Sequence, residues 1–124
     1  RTSFEDAIQP GPKDFDFNLQ QYTITEERAE NVDFSSPYYA TPQAVVTIES
    51  SPAAAATSLA ELGDFLIGAA TGTTSFTAIE EQIAPAAGAQ AFNTNDEAVL
   101  ALQNGQIDAL VVDLPTAFFL TGVQ

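Results

Sequence analysis

The sequence contains no cysteine, no histidine, no methionine and no tryptophan. Without cysteine there are no disulfides and no thiolate metal sites, which says nothing about compartment. Without histidine the usual metal ligand and the usual general base are both missing, so no metal and no cofactor are expected. Positive charge is almost as scarce. Its 17 acids face 3 bases, and all three bases, Arg1, Lys13 and Arg28, precede Glu30. From Glu30 onward there are 11 acids and no Lys or Arg. Such a surface repels phosphate backbones and anionic lipid, which excludes nucleic-acid binding. A halophilic source and an exported, solvent-washed protein both fit this acidity. No stretch approaches the roughly 20 continuous apolar residues of a membrane helix.

What is present suffices for one domain with a modest core. The chain has 124 residues, and a hydrophobic fraction of 45% separates it from disordered sequences. It opens at Arg1 with neither an initiator methionine nor a signal peptide. It therefore reads as a processed or excised piece, with any anchor or address tag outside it.

Phe4 and Ile8 stand i, i+4, and Pro10-Gly11-Pro12 ends that short helix. Phe15, Phe17 and Leu19 alternate with polar residues, which predicts a strand over 15–24. A second strand is expected at 43–48. Ser58-Leu-Ala-Glu61 and Thr94-Asn-Asp-Glu97 have the capping-box form, and Gly63 and Asn104-Gly105 close the helices they open. Apolar runs at 65–70, 89–92 and 107–112 read as strands, with helices at about 75–83 and 114–120. Strands alternating with helices through short loops predict an α/β fold, a mostly parallel sheet covered on both faces. Ligands of such sheets bind at the carboxyl ends of strands, which points to loop 71–75 and to Asp113.

Arg28 stands out among the polar residues. With Thr25 as N-cap it falls in the first helical turn, where a cation opposes the helix dipole and a capping box would have Glu. Ile24, Thr25, Asn31 and Val32 at i±3 and i±4 offer no carboxylate. Two readings stand: a fork aimed at a ligand carboxylate, and an exposed Arg paired with a distant acid. Thr71-Gly72-Thr73-Thr74-Ser75 joins a strand to a helix, and Gly72 lets a ligand approach the backbone. It is neither a P-loop nor a GxGxxG fingerprint, and as a plain helix cap it needs no ligand. Asp113 before Leu114-Pro115 suits an N-cap equally well as a carboxylate for an ammonium group. Glu26, Glu27, Glu80, Glu81, Asp96 and Glu97 read as solvated helix residues, and Asp33 as part of a bend.

Taken in order, Thr23-Ile-Thr-Glu-Glu-Arg28, Val32-Asp33-Phe34-Ser-Ser-Pro37-Tyr38-Tyr39, Leu62-Gly63, Gly72-Thr73-Thr74 and Asn104-Gly105-Gln-Ile-Asp108-Ala109 through Asp113 carry a resemblance. The succession, over about residues 13–121, resembles the polar-amino-acid class of extracellular solute-binding proteins that serve ABC importers. That resemblance implies a periplasmic-binding-protein-like (type II) fold of two lobes, each a three-layer αβα sandwich, here incomplete. It implies that residues 1–42 are a remnant of lobe one with a hinge strand, 43–118 lobe two, and 119–124 the start of the return crossover. It further implies roles. Arg28, helped by Thr23, clamps the ligand α-carboxylate; Gly72, Thr73 and Thr74 hold the same group from across an interlobe cleft. Asp113 takes the α-ammonium, while Gln21 and Ser75 lie near the ligand.

The implied function is delivery of an amino acid or similar small polar solute to an ABC importer permease, outside the cytoplasm or at the cell surface, without enzymatic activity. A dehydratase-like enzyme, with Asp113 or Glu27 as acid or base, and a sensor ectodomain are the alternatives on this scaffold. The class is much longer than this chain, and its opening strands are absent here. The strand expected at 15–24 would then present an open edge, predicting a homodimer through it, by domain swapping for instance.

Overall fold

The computed structural model describes residues 2–123. The chain divides into two compact units, Arg1–Ala40 and Thr41–Gln124. In the first, helix α1 (Phe4–Ile8) is capped by Ser3, whose hydroxyl accepts from the Asp6 amide. The Lys13 ammonium donates to the Asp6 and Gln9 carbonyls at its far end, where a cation is favourable. Helix α2 (Glu26–Ala29) is a single turn capped by Thr25.

The strand expected at 15–24 does not form. Phe17 and Leu19 are 76% and 75% exposed, and Gln21 adopts the left-handed conformation at φ 58°. Alternating side chains make a strand only where a neighbour accepts its backbone hydrogen bonds, and none of the described residues does so here. The strand edge expected there is not formed within the single chain.

The second unit is a four-stranded sheet in the order β1-β4-β2-β3, formed by β1 (Gln43–Val46), β2 (Ile67–Ala70), β3 (Gln90–Phe92) and β4 (Ala109–Asp113). The β2–β3 and β2–β4 pairs are parallel, and β1 runs antiparallel to β4 with Gln43 opposite Asp113. The sheet is thus mixed but mostly parallel, as the alternation of elements predicts. Helices α3 (Thr74–Ala78), α4 (Asn95–Gln103) and α5 (Leu114–Val123) follow β2, β3 and β4.

Successive residues of β4 point to opposite faces, and each face has its own core. Leu110 and Val112 pack with Ala98, Ala101 and Leu102 of α4 and Ala117 and Leu120 of α5. Ala109 and Val111 pack with Leu62, Ile67, Ala69 and Ile79. This makes three layers, αβα. The Thr94 cap forms, its hydroxyl accepting from the Glu97 amide at 3.2 Å. The Ser58 hydroxyl lies 3.4 Å from the Glu61 amide, but the turn it precedes is capped at Leu59 without a side-chain hydrogen bond. That turn is a 3-10 turn at Ala60–Asp64. The helix after β2 begins as α3 and widens into a π-turn at Ile79–Ile83, closed by left-handed Ala84. Asp108 fastens the start of β4: its carboxylate accepts from the Leu66 amide, and its carbonyl from the Thr47 and Ser51 hydroxyls.

Gly68 lies where no side chain fits. A Cβ there would stand 2.5 Å from Phe92 Cε2 and 3.1 Å from Ile107 Cδ1. Gly68→Ala should cost about 1–3 kcal/mol by thermal denaturation, as overpacked cores do. Phe92→Leu in the same chain should return part of that loss; additive losses in the double-mutant cycle would show that the ring is not the obstacle.

Candidate functional site

Because β2 and β4 are parallel, their carboxyl ends share one edge of the sheet, and antiparallel β1 starts at that edge. This topology gathers loop 71–75, Asp113 and Gln43. Gly72, at φ 71°, makes the left-handed turn that brings the chain from β2 into α3. The Thr73 hydroxyl is engaged at both ends, donating to the Ala70 carbonyl at 2.6 Å and accepting from the Phe76 amide at 3.2 Å. It caps α3, so its part in any ligand contact falls to its backbone. Ser75 is buried in the first turn and donates to Gln43 Oε1 at 2.6 Å. Gln43 Nε2 donates to Asp113 Oδ1 at 2.6 Å and lies 3.5 Å from Thr74 Oγ1. Asp113, the last residue of β4, is half-buried.

In the first unit, Arg28 is 8% exposed, which sets aside the reading of an exposed surface Arg. Its guanidinium donates to the Thr23 carbonyl at 2.8 Å and lies 5.6 Å and 5.7 Å from the ring centroids of Phe4 and Tyr22. Those rings stack at 4.0 Å, so the cation rests against an aromatic pair. Burial raises the Tyr22 phenol above its ordinary pKa, and the neighbouring Arg28 charge opposes that rise. The Thr25 hydroxyl accepts from the Arg28 amide, as its N-cap position predicts. Gln21 and Thr23 are exposed.

The structure thus joins Thr74, Ser75 and Asp113 in one hydrogen-bonded group and ties Arg28 to Thr23. It adds Gln43, which the sequence reading passed over as the polar end of a strand; only its register opposite Asp113 reveals it. Among the described residues no His/Cys/Asp/Glu group is placed to hold a metal, and no helix is long and apolar enough to cross a membrane.

Residues 2–113 match the family described as bacterial extracellular solute-binding proteins, family 3. The ABC transporter glutamine-binding protein GlnH of Bacillus subtilis is 37% identical over 100 residues, which is 81% of this chain but 36% of that protein. An ancestral arginine-binding protein bound to glutamine is 33% identical with a TM-score of 0.73, covering 82% of this chain and 44% of its own. An ancestral amino-acid-binding protein, a precursor of cyclohexadienyl dehydratase, is 32% identical with a TM-score of 0.74, covering 82% and 45%. The match therefore spans under half the length of each of these relatives. With a family match over nearly all its residues and the sheet, loop and carboxylate arrangement above, the chain belongs to the bacterial extracellular solute-binding proteins, family 3.

Proposed function

We propose that this chain binds a free amino acid by its zwitterionic end and serves an ABC importer outside the cytoplasmic membrane, passing solute to the permease rather than transforming it. One observation carries the reading. At the carboxyl edge of the sheet a carboxylate, Asp113, stands beside the turn that opens α3, and both belong to a unit without a single Lys or Arg. A carboxylate suits an ammonium group, and the first-turn backbone amides suit a carboxylate. Gly72, Thr73 and Thr74 are assigned to the ligand α-carboxylate; within the first unit, Arg28 with Thr23, and Gln21 near them, are assigned to binding a carboxylate. The names of GlnH and of the ancestral arginine-binding protein support an amino acid as the ligand.

The test is protein-detected NMR titration of the chain with L-glutamine and L-arginine, beside their α-deaminated and α-decarboxylated counterparts. The intact amino acids should shift resonances of Asp113 and of loop 72–75. Either truncated counterpart should bind at least roughly tenfold more weakly, the loss of a hydrogen bond to a charged group. Asp113→Asn should erase the preference for the ammonium-bearing ligand. Truncated and intact ligands binding alike, or neither binding, would refute the proposal.

A further inference from the structure

We propose that Gln43 is a positioning residue that holds Asp113 for the ligand ammonium without neutralising it; the inference rests on the amino-acid reading above. The argument begins with donors and acceptors. An ionised carboxylate only accepts, so the Gln43 atom facing Asp113 at 2.6 Å is the amide nitrogen. The amide oxygen then faces the Ser75 hydroxyl, which donates to it at 2.6 Å. Ser75 is 6% exposed, so its proton needs a partner inside the protein, and Gln43 is that partner. Neither end of the amide can be exchanged without breaking one of these bonds.

The chain Ser75 to Gln43 to Asp113 runs in one direction, and each bond polarises the next. It links the first turn of α3 to the end of β4 through the first residue of β1. Gln43 stands directly opposite Asp113 in the antiparallel register, within easy reach of a long side chain. Asp113 Oδ2 has no hydrogen-bond partner among the described residues, and the Gln43 bond fixes the plane in which that oxygen lies.

The choice of an amide has a further consequence. No Lys or Arg follows Arg28 in the sequence, so the second unit has no cation of its own to compensate Asp113. A lysine at position 43 would pair with the carboxylate and compete with the incoming ammonium. A neutral dipole orients the same carboxylate and leaves its charge for the ligand.

The experiment uses the whole chain and three variants, Gln43→Leu, Gln43→Lys and Asp113→Asn, titrated with L-arginine and with its α-deaminated counterpart. Gln43→Leu also removes the Ser75 partner, so both ligands should weaken, but L-arginine roughly tenfold more than the deaminated ligand, since only the ammonium uses Asp113. Gln43→Lys should weaken L-arginine further and bind the deaminated ligand better than the native chain does. In the ligand-free chain, the Gln43 side-chain amide resonances should move on Asp113→Asn. Equal losses for both ligands in Gln43→Leu would show a role in folding alone and overturn the inference. So would amide resonances indifferent to Asp113. If Asp113→Asn binds L-arginine as the native chain does, the ammonium site itself is wrong, and this inference falls with it.

Discussion

Arg28→Ala is expected to leave the chain without measurable affinity for amino acids, whereas Glu27→Ala should leave binding as it was. The two residues are neighbours on one helical turn, yet Arg28 is buried and Glu27 is exposed. The guanidinium is oriented by the Thr23 carbonyl and by two aromatic rings, so little freedom remains to be lost when a carboxylate meets it. Each hydrogen bond to a charged group contributes about 1.5–3 kcal/mol, and a bidentate pair therefore exceeds a hundredfold in affinity, roughly. Alanine also strips packing from Phe4 and Tyr22, so Arg28→Lys is the necessary companion. Lysine keeps the charge and the apolar stem but not the fork, and should retain the fold while binding much more weakly. Titration calorimetry with circular dichroism on the same samples separates these effects. Equal losses in Arg28→Ala and Glu27→Ala would reject the clamp.

Leu110→Ala should cost about 2–5 kcal/mol, the range for a fully buried leucine whose cavity closes only in part. Leu110 is fully buried on β4, beside Val46 of β1 and Gly68 of β2 in the ladder, and packs against α4 and α5. Against a total stability of about 5–15 kcal/mol for a domain, that loss is a large fraction. Thermal denaturation should show a fall in Tm well beyond that of Leu110→Met, which conserves volume and should cost under about 1.5 kcal/mol. Similar shifts for both variants would mean that the sheet relaxes into the space.

What was legible in the sequence was local. The cap at Thr94 depends on residues three apart, and the structure has it. The apolar runs of β2 and β4 are buried on both faces, so their composition alone marks them. Phe15, Phe17 and Leu19 show the converse: alternation describes what a strand would look like, and the missing neighbour decides that there is none. The π-turn at Ile79–Ile83 has no sequence marker, because Phe76, Ile79 and Ile83 recur at the three- and four-residue spacing of an ordinary α-helix. Arg28 was legible as an anomaly but its burial was not, since Phe4 lies far from it in sequence. Gln43 was invisible for the same reason, its meaning residing in a register with a residue far along the chain. Part of the candidate site was thus readable from strand ends and caps, while the contacts that orient its side chains arise only from pairing.

The antiparallel start of β1 has a mechanical side. The Leu114 amide donates to the Pro42 carbonyl at 3.0 Å, immediately beside the Gln43–Asp113 pair. The thread of backbone that leads into the second unit is thus stitched to the corner where Asp113 sits. A tug on residues 38–42 loads that corner before any other part of the sheet. The carboxylate is, in effect, mounted on the handle by which the unit is held.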